Sequence, residues 1–552
     1  MLNWFYPPYL RQLFTDRHAE LGFLQMVADD LANGRPHHVA VFGLRRIGKT
    51  LLLFEQLTRL LTDEMVLPVY INLEDICTSP EVFSQRYMGL VAFWALTSGE
   101  GEIDRFLTIP RLLAGEAASS KAVVQTAGSM AGELDRSQPD YGLLLKLAFD
   151  FPQRLASELG KKLVLFLDEF TEISVLSNYP RLKDPLKSFR ASVQQHGDVA
   201  HVIAGSAISV LERMIKAHQS PLFLQFEMLE LAPFSREGSL ELASKILPGL
   251  SPLAGRQIHR LSFGHPFYIT AIAQRARRLP TETLDTEAVT QAFVIEALSR
   301  EGQIYNYCRY LYDISLQRAR GYGILKAILQ VLAEEEELTL SEIARRIAKS
   351  PPATREYLRW LMEVDLVTEE DKLYFYRDPV LRYWVAYATK GIEVDHMPRR
   401  QELHRLMREL EEKFQSLSTE LGLAKESQVR EILRHFAGQE VDGILLGVPG
   451  AVQLPTFRRV DPCRSDDGQV EVDALADGDV RWAVEIKWRG KMAGLKEVKK
   501  LARAAQALSA RPWFISKAGF TSEVQDYARQ EGIMCSSREE IEALARIVGE
   551  LP

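Results

Sequence analysis

In the N-terminal half of the chain, short apolar runs alternate with stretches of helical spacing. His37 to Phe42 reads HHVAVF, and the LLLFEQLTRLL after Thr50 places apolar residues three and four apart. That order predicts a strand and then a buried helix. Leu163-Val-Leu-Phe-Leu is an unbroken apolar run ended by Asp168 and Glu169, and His201-Val-Ile-Ala-Gly ends at Ser206. Apolar runs without alternation suit strands of a parallel sheet covered on both faces. An α/β core is therefore expected over residues 1–235.

The pattern then changes. Tyr322 to Ala333 is amphipathic and is followed by the acidic turn Glu334 to Glu337. Thr339-Leu-Ser-Glu342 has the letters of a capping box, and Pro351-Pro352 opens a further helix. Val367 to Tyr376 reads as a β wing around Glu370-Asp371. This sequence of elements predicts a winged helix-turn-helix over 321–392. Residues 393–424 read as a charged helical connector, and 425–552 as a second, smaller α/β domain. In that domain Val470 to Leu475 and Val480 to Trp488 are strands, with a turn at Asp477-Gly-Asp.

Composition narrows the picture. A chain of 552 residues exceeds what one core organises, so several domains are expected. With 46% hydrophobic and 26% charged residues it is a folded protein. A net charge of −7 excludes a global basic field, so any contact with nucleic acid must come from local patches. Four scattered cysteines, Cys77, Cys308, Cys463 and Cys535, suit neither a zinc site nor a disulfide framework. The scattered cysteines suit a reducing, cytoplasmic setting, the N-terminus lacks the pattern of a signal peptide, and no apolar stretch has bilayer length, so no membrane partner is expected.

The candidate chemistry begins at Gly43-Leu44-Arg45-Arg46-Ile47-Gly48-Lys49-Thr50, followed by Leu51. This is G-x-x-x-x-G-K-T with a strand before and a helix after. The glycines let backbone N–H groups face phosphates, and the helix N-terminus adds its positive end. Lys49 would reach the terminal phosphates of ATP, and Thr50 would hold Mg²⁺. Carboxyl ends of parallel strands gather ligands, which puts Asp168 and Glu169 beside the loop. Asp168 would coordinate Mg²⁺ through water, and Glu169 would activate the attacking water. Ser206 stands where a γ-phosphate sensor would.

These segments together resemble the archaeal-type ATPases of the STAND class, relatives of AAA+ proteins. Phe14-Thr-Asp16-Arg17-His-Ala-Glu20-Leu21 is similar to that family's opening F-x-x-R-x-x-E-L, and Gly264-His265-Pro266 to its G-x-P segment. The resemblance implies a helical lid over 236–320, with Arg17 and Pro266 near the adenine. It also implies the sensor role of Ser206. Where many relatives carry an arginine after S-P-L-Y-G, this chain has Gln225, which leaves Arg181 and Arg190 as substitutes for a finger acting on a second copy. The winged helix reads in two ways. Arg345, Arg346, Lys349, Arg355 and Arg359 would contact DNA phosphates, or the module packs on the ATPase as a nucleotide-sensing lid.

In the C-terminal domain Glu485 and Lys487 lie two apart on one strand, with Asp473 on its neighbour. Two carboxylates and a lysine on one face can make a metal-dependent phosphodiesterase site. Asp473, Glu485 and the Ile486 carbonyl would bind Mg²⁺, and Lys487 would position water or stabilise developing charge. The spacing D-x11-E-x-K resembles the PD-(D/E)xK nucleases, and Trp513 to Ala528 resembles their Mrr-like members. That resemblance adds Glu426 as a further acid. Ten basic residues between Arg481 and Lys517 face only Glu485 and Glu497, a rim suited to drawing in DNA. The leading expectation is an ATPase, P-loop sheet with lid, winged helix and restriction-endonuclease-like domain, that controls a DNA nuclease. The second is an ATP-driven switch assembling as a homo-oligomer, whose C-terminal domain binds without cutting. A third is a DNA-binding transcription regulator led by the winged helix.

Overall fold

The computed structural model describes residues 4–182, 184–280, 284–317, 322–335, 338–370, 372–392, 394, 403, 405–410, 429–464, 471–488 and 492–548. Its first sheet consists of β1 (Val39–Phe42), β2 (Val66–Asn72), β3 (Lys162–Asp168), β4 (Val199–Gly205) and β5 (Glu227–Glu230). They pair in the order β2-β3-β4-β1-β5, all parallel. β1 and β4 are buried along their whole length, and β3 beyond its first residue. That burial is the reason their sequences do not alternate. The order sets β4 between β1, which feeds the glycine loop, and β3, which ends in the paired acids.

Helices Pro80–Thr97 and Tyr141–Leu159 cover the sheet with Phe83, Tyr87, Phe149 and Phe151. The Ala- and Gly-rich stretch between them forms helices Ile109–Ala114 and Lys121–Leu134, which bury Leu112, Val123, Ala127 and Met130 in the same core. Five further helices follow between Arg236 and Gln317. Inside them Arg275 and Glu296 form a buried ion pair at 2.7 Å.

The winged helix has helices Tyr322–Glu334, Leu340–Arg346 and Pro351–Glu363 with a three-stranded sheet, β6 (Leu338–Thr339), β7 (Val367–Glu370) and β8 (Leu373–Tyr376). The capping box forms: Thr339 accepts the Glu342 N–H, and Glu342 accepts the Thr339 N–H. The chain divides into two compact units. The first holds the parallel sheet and most of the helices after it, together with Leu358–Val367; most of the winged helix and the C-terminal domain belong to the second.

The C-terminal domain has a small pair, β9 (Glu440–Asp442) with β10 (Ala451–Gln453), and a mixed sheet. The sheet runs β11 (Phe457–Arg464), β12 (Glu471–Gly478), β13 (Arg481–Lys487), β14 (Arg511–Ser516) and β15 (Met534–Ser537). The first two pairings are antiparallel and the last two parallel. The β12–β13 turn falls at Asp479-Val480, later than expected, because Asp477 pairs with Arg481 in the ladder and bonds it at 2.9 Å. Between Asp461↔Leu475 and Cys463↔Val472, β12 carries one residue more than β11, so a bulge sits beside Asp473. The sheet separates two cores, one around Trp482, Val484 and Trp513 and the other around Ala483, Val498 and Phe514.

Candidate nucleotide and nuclease sites

The glycine loop joins β1 to helix Lys49–Leu60. Gly48 has φ 104°, in the left-handed region where side chains are strained, and a Cβ on Gly43 would lie 2.7 Å from the Leu231 carbonyl oxygen. Lys49 is buried, and its ammonium donates to the carbonyls of Gly43 at 2.8 Å and Leu44 at 2.9 Å. Burial pulls its pKa down to about 8, against the upward pull of Glu169 and Asp168. Thr50 Oγ1 donates to Asp168 Oδ2 at 2.7 Å, and the Glu169 N–H donates to Asp168 Oδ1 at 3.0 Å. Glu169 has φ 45° and its Oε2 accepts the Ser206 hydroxyl at 2.9 Å. A left-handed glutamate beside a ligand loop is the sort of strained residue that clusters at functional sites. The strand order thus brings together Lys49, Thr50, Asp168, Glu169 and Ser206, expected from separate segments. A buried ammonium, a hydroxyl and a carboxylate oxygen set are the donors that ATP and a hard divalent ion require.

Two other elements grip the loop backbone. Arg17, at φ 66°, donates to the Ile47 carbonyl at 3.4 Å and stacks on Phe234 at 4.7 Å. His265 Nε2 donates to the Arg45 carbonyl at 3.1 Å, which requires the proton on that nitrogen. Burial pushes the His265 pKa down to about 3, so the ring is neutral. Pro266 opens the next helix, and Phe267 stacks under Arg46 at 4.6 Å. Arg181 stacks on Tyr141, and Arg190 lines a surface cavity of about 440 Å³ with Lys187 and His218.

Three participants escaped the motif reading. Tyr70 donates its hydroxyl to Asp168 Oδ2 at 3.1 Å. Helix Ile208–Lys216 starts just past Ser206, and its N-cap residue, Ala207, has no side chain able to cap it. Asp365 supplies the cap, accepting the Ser209 N–H at 3.0 Å with Ser209 Oγ at 2.7 Å. His265 lies within Gly264-His265-Pro266, a segment whose resemblance assigns a role to the proline alone. A hydroxyl within an apolar strand was the sole signal for Tyr70; nothing in the sequence links Ser209 with Asp365.

In the C-terminal domain Lys487 and Glu485 pair at 2.9 Å. Glu485 is 8% exposed, and its pKa is raised by burial first and by Asp473 second, with Lys487 and Lys500 opposing. Asp473 Oδ2 accepts the Ile486 N–H at 2.6 Å, and Arg430 donates to the Asp473 carbonyl at 2.9 Å. Two carboxylates on adjacent strands offer oxygen donors of the type Mg²⁺ prefers. Among the described residues no third His, Cys, Asp or Glu completes a metal cluster; Glu426 lies outside them, as do Arg489 and Lys491 of the basic rim. Lys496, Lys499, Lys500 and Arg503 stand on helix Leu495–Ala507, and Lys499 covers Tyr527 at 5.3 Å. In the winged helix Arg345, Lys349, Arg355 and Arg359 are exposed, while Arg346 pairs with Glu335 at 2.6 Å. Among the described residues no helix is long and apolar enough to cross a membrane.

Comparison with known proteins finds three matches along the chain. Residues 14–271 match an ATPase domain predominantly from Archaea, 326–369 match the bacterial regulatory proteins of the arsR family, and 456–545 match a restriction endonuclease catalytic domain of Mrr type. No curated protein matches the chain. Among solved structures, a Walker-type ATPase of Pyrococcus abyssi is 15% identical over 67% of this chain and 96% of its own, with a TM-score of 0.48. The ORC2 protein of Aeropyrum pernix is 13% identical over 68% and 95%, with a TM-score of 0.41. A STAND protein of Pyrococcus horikoshii with a tetratricopeptide repeat sensor is 15% identical over 67% and 42%, with a TM-score of 0.27.

Proposed function

From a chain that joins an archaeal-type P-loop ATPase domain to an arsR-type winged helix and an Mrr-like restriction-endonuclease domain, we propose an ATP-regulated, Mg²⁺-dependent DNA endonuclease. Lys49 and the loop amides bind the phosphates, Thr50 and Asp168 hold the ion, and Glu169 takes the proton of the attacking water. Ser206 orients Glu169 and senses the γ-phosphate, while Arg17 and Pro266 border the adenine. At the C-terminal site Asp473, Glu485 and the Ile486 carbonyl hold Mg²⁺, with Glu426 as the added acid. Bound there, Mg²⁺ supplies Lewis-acid activation of the phosphodiester. Lys487 stabilises the charge that develops, and the basic rim with the exposed winged-helix arginines draws in the DNA. Processing of foreign DNA by a cytoplasmic protein that assembles with ATP is the setting this combination suits.

One observation carries the nuclease reading: a buried carboxylate, Glu485, ion-paired to Lys487 and electrostatically coupled to Asp473. A solvated strand face has no such burial. Supercoiled plasmid incubated with Mg²⁺, with and without ATP, is expected to be nicked by wild type and spared by Lys487→Ala. Equal nicking by both removes the assignment. No nicking under any nucleotide condition favours the second reading, a switch whose C-terminal domain binds DNA without cutting.

A further inference from the structure

Among the described residues, the Tyr70 hydroxyl is the one donor at the Asp168 carboxylate that no motif accounts for. Tyr70 pairs with Phe166 on β3, two positions before Asn72 pairs with Asp168. Side chains two apart on a strand share a face, so the phenol lies diagonally across from the acid. It reaches Asp168 Oδ2 at 3.1 Å, the oxygen that also accepts Thr50 at 2.7 Å. With the Glu169 N–H on Oδ1, both carboxylate oxygens are engaged. The ring is itself held. Phe5 meets it edge-on at 5.0 Å and Phe54 at 5.1 Å, and Phe5 packs on Trp94 at 4.9 Å. Phe54 belongs to the loop helix, and Phe5 comes from the irregular N-terminal segment.

We propose that Tyr70 is a positioning residue for the magnesium of the ATP site, fixing the rotamer of Asp168 while the Phe5 strap fixes the phenol. This rests on the ATP–Mg²⁺ reading of the loop. If Thr50 is committed to the ion, Tyr70 is the side-chain donor left to orient Asp168. Partners of metal-ligating carboxylates typically contribute a factor of about 10–100 in metal affinity. A tyrosine kept only for packing would have no use for its hydroxyl, and phenylalanine would fill the same volume.

The test uses the full chain and Tyr70→Phe. Binding of a fluorescent ATP analogue is followed in EDTA and across a Mg²⁺ titration. Mn²⁺ bound in the presence of ATP is counted by electron paramagnetic resonance, and melting temperature is recorded alongside. Affinity in EDTA and melting temperature are expected to stay at wild-type values, while half-saturation by either ion rises about tenfold. Phe5→Leu, which keeps the hydroxyl and loosens the ring, is expected to shift it in the same direction by less. Identical metal titrations for wild type and Tyr70→Phe overturn the proposal. So does an equal loss of affinity with and without metal, which marks a packing role. A wild type that binds ATP indifferently to Mg²⁺ overturns the magnesium reading, and this inference with it.

Discussion

On the proposed reading, Lys49 and Glu169 separate binding from chemistry. Lys49→Ala removes the one ammonium buried in the loop and is expected to abolish ATP binding in a calorimetric titration. Glu169→Gln keeps the shape and hydrogen-bonding reach of the side chain but not its basicity. It is expected to retain ATP affinity and lose turnover by about 10²–10⁴-fold, the usual contribution of a general base. Unchanged turnover would remove Glu169 from the mechanism. That these residues would meet was legible because phosphate and metal chemistry fixes the types and local spacing such a site would need. Tyr70 and His265 were not, since each acts on an atom placed beside it by strand register or by the turn before helix Pro266–Ala276. Neither relation leaves a spacing in the chain.

At the scale of elements, the apolar runs located β1, β3 and β4, and the strand order then explained why their polar ends meet. The winged helix was readable from its capping box and its paired prolines. The bulge in β12 was not, because an inserted residue leaves no letter of its own, yet it lies beside the residue whose carboxylate reaches β13. The helix after Ser206 shows how an element can depend on a distant one, with Asp365 capping it from 156 positions away. Asp365→Ala is expected to cost about 1 kcal/mol, the usual worth of a cap, read by denaturant unfolding of the ATPase unit. Breaking the buried Arg275–Glu296 pair by Glu296→Gln should cost more, about 3–5 kcal/mol. A smaller loss for Glu296→Gln than for Asp365→Ala would contradict this ordering.

For the whole molecule, division into two compact units predicts two melting transitions. ATP at about 100 times its Kd should stabilise only the one containing the loop, by about 2.7 kcal/mol. A single transition moved as a whole by ATP would contradict this. The ATPase unit should also be sensitive to acid. His38, His196 and His201 cluster with ring centroids 5.2 and 5.4 Å apart, and burial pulls the pKa of His38 and His196 down to about 4 and that of His201 well below its usual range. The unfolded chain takes up these protons near pH 6.5 and the folded chain does not. Stability is therefore full above pH 6.5 and falls as pH drops from there toward 4. Each of His38 and His196 stands for up to about 3 kcal/mol, so the melting temperature of this unit should fall steeply between pH 6.5 and 5. A flat profile there would show that the imidazoles reach water.

The bond between Glu169 and Ser206 has a kinetic meaning if Glu169 is the base. A carboxylate that receives a hydroxyl on one oxygen still offers the other to a water, and the serine's hydrogen bond fixes its direction while drawing off some of its basicity. How fast a loaded nucleotide is spent then depends on how that partner balances aim against basicity. Anything that moves the serine would then reset the pace of turnover.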